Sequence, residues 1–139
     1  MKHATRRYAV LFAAGALLVA TGCSSDSGGI GATEADFTIT LDADTAPAGD
    51  VTFDIQNDAG QTHEFVVVKT DLAPDALPTD DAGDVDEKGD GITPVDEVED
   101  ITAGSSETLT VKLDAGSYVV ICNLPSHYKQ GMHAGFTVT

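Results

Sequence analysis

Cys122, His127 and Met132 stand in the spacing Cys-x4-His-x4-Met near the end of the chain. A thiol, an imidazole and a thioether thus fall within eleven positions. Pro125 and Gly131 lie among them, turn-prone residues that allow a short loop to fold the three side chains back onto one point. Soft sulfur donors combined with imidazole suit copper, held by two histidines and a cysteine in a plane with a weak axial methionine. That plane needs a second histidine from elsewhere. Beyond the leader the chain offers His63, His127 and His133. His63 follows the Gly60 turn and opens the apolar run Glu64 to Val68, which puts it at the end of a strand, where it could meet the Cys122 loop. His133 directly follows Met132, and strand alternation turns it the other way. The candidate ligands are therefore His63, Cys122, His127 and Met132, around one copper ion as Cu(I) or Cu(II).

Taken singly, each of these residues has a plainer reading. Cys122 suits an inert buried thiol, or a disulfide with Cys23 in an oxidising compartment. Met132 alone suits core packing. It is their joint spacing that points to a metal. Tyr128 and Phe136 read as packing residues near the loop, and Asn123 as a side chain that fixes it by hydrogen bonds.

The elements that must hold such a site have a two-residue rhythm. Phe37, Ile39 and Leu41 alternate with polar residues, as do Val51, Phe53 and Ile55, and Leu109, Val111 and Leu113. Each pattern predicts a half-buried strand. Phe65 to Val68 and Tyr118 to Ile121 are denser apolar runs and predict strands buried more completely, and Phe136 to Thr139 predicts a last strand. Turn signals separate them at Pro47 to Asp50, Asn57 to Gly60, Ala103-Gly104 and Asp114 to Gly116. No amphipathic helix pattern intervenes. The expected fold is all-β, a single antiparallel sandwich occupying residues 35–139.

Residues 71–94 break the rhythm. They hold Pro74, Pro78 and Pro94, several glycines and many acidic residues, and read as a long solvated insertion leading to a short strand around Val95 to Ile101. Asp84 to Asp90 superficially resembles a calcium loop, but Lys88 stands where an oxygen ligand is needed and Val95 where the closing Glu belongs. It is a charged loop.

The start of the chain reads as address rather than fold. Lys2, Arg6 and Arg7 precede the apolar run Tyr8 to Ala20, too short to span a bilayer, and small residues follow. This is the pattern of a secretory signal over residues 1–22. Ala20-Thr21-Gly22-Cys23 resembles the bacterial lipobox, which implies lipidation of Cys23 and an anchor on the extracytoplasmic face of the cell envelope. Residues 23–34 read as that lipidated Cys and a flexible tether, with Ser and Gly running to Gly31. Removing the leader leaves 4 basic against 23 acidic residues, a formal charge of −19. That excludes nucleic acid as a partner and electrostatic adhesion to anionic lipid. It favours a basic partner, or solubility in a salty medium.

The segment Ala115 to Thr139, together with Thr62 to Val67, resembles the type 1 copper cupredoxins, whose rusticyanin- and sulfocyanin-like members share the Cys-x4-His-x4-Met interval. The resemblance implies a Greek-key β-sandwich, ring-nitrogen ligation by His63 and His127, thiolate ligation by Cys122 and an axial Met132. It departs at Ser126, where relatives tend to carry Gly, and in the long acidic insertion. The expected role is a monomeric, membrane-anchored carrier of single electrons between redox proteins such as a cytochrome or a membrane oxidase or reductase. The alternative is an extracytoplasmic copper chaperone or copper-sequestering lipoprotein, against which the scarcity of methionine counts, with only 2 in the chain. An enzyme is not expected, because the His-x-His pairs and second domain of multi-copper catalysts are missing.

Overall fold

The computed structural model describes residues 28–139. The expected signal segment 1–22 and Cys23 lie outside the described residues. Nine strands and one helical turn follow in order: β1 Ile30–Ala35, β2 Thr38–Leu41, β3 Thr45–Ala46, β4 Gly49–Asn57, β5 His63–Thr70, β6 Ile92–Ile101, β7 Ser106–Leu113, β8 Gly116–Ile121, α1 His127–Gln130 and β9 His133–Val138. They form two sheets, β2-β1-β4-β7 and β3-β9-β8-β5-β6, packed as a sandwich.

Alternation drives this packing. In β4, Val51, Phe53 and Ile55 point inward and pair in register with Val111, Leu109 and Glu107 of β7. Phe53 meets Phe65 of the opposite sheet and Phe136 of β9, each at 5.3 Å between ring centres, so one aromatic side chain joins three strands. Burying a ring of this size contributes about 1.5–3 kcal/mol.

Three expectations need correction. The sandwich is mixed rather than purely antiparallel: β1 runs parallel to β4 and β3 parallel to β9. The chain leaves β2, crosses to the other sheet as β3 and returns as β4, so β4 re-enters beside β1 in the same direction. Ordered structure also begins earlier than residue 35, inside the stretch assigned to the tether. Strand β1 starts at Ile30 and buries Ile30, Ala32 and Glu34 on alternate positions.

The third correction concerns the insertion. Strands β5 and β8 are apolar on both faces. Phe65, Val67, Val120 and Cys122 join the central core. Val66, Val68, Val119 and Ile121 face outward, where Leu77 and Val85 of the insertion cover them together with Tyr128. The insertion is therefore more than a solvated connection: mostly exposed, it also covers the second face of the sheet through Leu77 and Val85. The strand that ends it, β6, is ten residues long and almost wholly exposed, which left no alternation to read.

Candidate metal centre

Two adjacent strand ends and one loop converge at one end of the sandwich. His63 is the first residue of β5, paired with Ile101 of β6 beside a register shift between His63 and Phe65. Such irregularities re-aim side chains next to functional sites. The turn that delivers His63 is fixed by buried Asn57. Its side-chain amide donates to Gln61 O and Ile101 O, both at 2.8 Å, and its Oδ1 accepts from Ala59 N at 2.9 Å. Cys122 follows the last residue of β8, and its backbone N–H donates to Met132 O at 3.1 Å. The loop between them contains α1, which carries His127. Its N-cap, Ser126, adopts a left-handed conformation with φ 67°, and Gly131 closes the turn at φ 120°. A glycine is the natural residue where φ is positive, so Ser126 holds a conformation that its Cβ disfavours.

His63, Cys122 and His127 place their ligating atoms within 4.8 Å of one another. His63 Nδ1 lies 3.2 Å from His127 Nδ1, and Cys122 Sγ lies 3.3 Å from His127 Nδ1 and 3.8 Å from His63 Nδ1. The point equidistant from these three atoms lies about 2.0 Å from each, the length of a metal–imidazole bond and close to the roughly 2.3 Å of a metal–thiolate bond. The residues therefore fit a single metal ion. Met132 is fully buried in the same core as Cys122, and its backbone N–H donates to His127 O at 3.2 Å. His133 packs instead against Tyr128, with ring centres 5.2 Å apart.

Burial tunes the trio. Burial pushes the Cys122 thiol up to about 11, opposed by the backbone N–H groups of Glu64 and Leu124. Burial also lowers the pKa of His63, helped by the neighbouring His127 and opposed by Asp36, which favours the neutral imidazole that metals bind. Glu64 N–H points at Cys122 Sγ from 3.5 Å, and the Glu64 carboxylate accepts from Asn123 N at 2.8 Å, so β5 grips both sides of the cysteine.

The insertion braces the ligand loop from outside. Asn123 Oδ1 accepts from Val85 N at 2.7 Å, and its amide donates to Val85 O and Glu87 Oε1. Ser126 N–H donates to Asp84 Oδ1 at 2.6 Å, and Tyr128 OH donates to Pro74 O while accepting from Leu77 N, both at 2.9 Å. Asn123 thus fixes the loop as its sequence position suggested. Phe37 was legible only as a core residue. It sits at φ 58° in the β1–β2 turn and meets the His127 ring edge-on at 5.6 Å.

A β-sandwich holding two histidines and a cysteine at metal-bonding distances defines a type 1 copper cupredoxin, a blue copper protein with one copper ion as its cofactor. The sulfocyanin (SoxE) domain matches residues 11–139, and the chain belongs to that family. Among solved structures it is similar to a dithionite-reduced auracyanin from Roseiflexus castenholzii, at 25% identity and TM-score 0.58, covering 80% of this chain and 96% of that one. Auracyanin A from Chloroflexus aurantiacus, described as a "blue" copper protein, aligns at 19% identity and TM-score 0.53 over 81% and 100% of the two chains. Rusticyanin from Thiobacillus ferrooxidans aligns at 18% identity and TM-score 0.52 over 78% and 76%. No functionally curated protein matches the chain.

Proposed function

We propose that this protein carries single electrons between redox partners outside the cytoplasm, tethered to the membrane through lipidated Cys23. In this reading His63 and His127 bind copper through Nδ1, Cys122 binds as thiolate and Met132 approaches axially. The observation that carries the proposal is a ligand trio whose atoms stand at bonding distance from one common point. A scaffold that imposes one geometry suits both Cu(I) and Cu(II), so little rearranges when an electron moves. His63 and Cys122 are fully buried, whereas His127 is only partly so. Phe37, Leu124 and exposed Pro125 accompany His127 at the surface, an apolar rim through which an electron can leave. Met132, fully buried, does not belong to that rim.

The partner face carries acid. Burial first, and then the neighbouring Glu87 and Glu99, push up the carboxyls of Glu64 and Glu97. A basic redox protein such as a cytochrome suits this surface. The deciding measurement is the visible spectrum of the domain with Cu(II), beside Cys122→Ser. An intense thiolate-to-copper band that reduction bleaches and Cys122→Ser abolishes is the expected result; a colourless wild type overturns it. Membrane fractionation of Cys23→Ser tests the anchor, with release into the soluble fraction expected.

A further inference from the structure

Strand β1 carries an anomaly. Its inward positions are Ile30, Ala32 and Glu34, and the glutamate is as fully buried as any side chain in the core. Neither carboxyl oxygen has a hydrogen-bond partner. A carboxyl group in apolar surroundings is costly unless something engages it. Among the described residues one other buried side-chain polar atom is equally orphaned: Nε2 of His63.

The two orphans are chemically complementary. His63 turns Nδ1 toward Cys122 and His127, so when that nitrogen binds a metal the ring proton must sit on Nε2, where it needs an acceptor. Metal-bound histidines almost always donate this second N–H to a carboxylate, a carbonyl or a water. The fold brings Glu34 to this end of the molecule. Glu34 pairs with Asn57, the residue whose side chain fixes the turn into His63, and Glu34 O accepts from Asp58 N at 2.8 Å. Charge coupling agrees with this placement: after burial, Glu64 raises the Glu34 carboxyl and Glu34 raises the Cys122 thiol.

We propose that Glu34 is the positioning residue for His63: its buried carboxyl oxygen accepts the Nε2–H through one bridging water and fixes the ring with Nδ1 aimed at the copper. The assignment rests on His63 being a copper ligand. An acceptor on the far side of the ring also makes the imidazole a stronger donor, which favours Cu(II) over Cu(I).

The test compares Glu34→Leu with Glu34→Gln in the copper-loaded full domain. Leucine suits a buried β position and removes the acceptor; glutamine keeps an acceptor oxygen. Glu34→Leu should weaken Cu(II) binding by about 10–100-fold while leaving the copper-free fold at least as stable. Each tenfold loss confined to Cu(II) raises the reduction potential by about 59 mV. The His63 Nε2–H resonance in the diamagnetic Cu(I) form should exchange faster with solvent in Glu34→Leu and stay protected in Glu34→Gln. A merely structural role moves stability and affinity together. Unchanged affinity and unchanged Nε2–H protection in Glu34→Leu overturn the proposal, as does an equal loss in both variants. A wild type without the blue band instead overturns the ligand assignment beneath it.

Discussion

Buried in the core, the Cys122 thiol holds its proton until about pH 11 in the metal-free protein. Copper takes the thiolate, so loading at neutral pH must expel that proton. Calorimetric titration of Cu(I) in buffers of different ionisation enthalpy should register about one proton released, and affinity should fall roughly tenfold per unit of decreasing pH. Ser126 holds a left-handed conformation that a Cβ disfavours by about 1–2 kcal/mol. Its anchoring bond to Asp84 uses only the backbone N–H, which glycine keeps. Ser126→Gly should therefore stabilise the domain by roughly 0.5–1 kcal/mol, read by denaturant unfolding. The candidate ligands stood out at this scale because Cys122, His127 and Met132 lie close in sequence and copper chemistry restricts their types. Glu34 was not. Its inward register follows from a strand that begins at Ile30, inside a stretch whose Ser and Gly content read as tether.

Among the elements, the insertion has the most specific consequences. Tyr128 OH is both acceptor for Leu77 N–H and donor to Pro74 O, and the Leu77 contact is buried. Tyr128→Phe leaves that N–H without a partner and should cost about 1–3 kcal/mol, measured as a lower denaturation midpoint. Because α1 then loses its outer brace, the variant's copper band should broaden. The strands of the sandwich were legible wherever one face is dry: β4, β5, β7 and β8 fall where alternation or dense apolar runs placed them. The insertion was not, because its two apolar anchors, Leu77 and Val85, are isolated among prolines and acids. Their partners Val66, Val68 and Ile121 are distant in sequence. The parallel pairings of β1 and β3 were hidden for a similar reason, since alternation shows which face is buried but not which strand lies alongside.

For the molecule as a whole, the carboxyl shifts share one sign. Burial raises Glu34 to about 8, and Glu64 and Glu97 move upward as well, burial again being the first cause. Folding then takes up protons. Stability from these groups is full below the ordinary carboxylate range and is lost as pH rises through their folded values. His63 acts oppositely, since its lowered pKa withdraws stability once pH falls through it. Copper-free protein should therefore be more stable near pH 6 than near pH 8.5, and Glu34→Gln should flatten that difference in denaturant titrations.

Strand β6 closes its sheet with one side unpaired along ten residues, the kind of border onto which another copy can add a strand. Here Asp96, Glu97, Glu99 and Asp100 line that border, and Pro94 withholds a backbone donor. Repulsion between identical acidic borders keeps neighbouring molecules from zipping together. Acid that steadies each molecule would neutralise the same carboxylates, so light scattering at falling pH should reveal self-association well before unfolding.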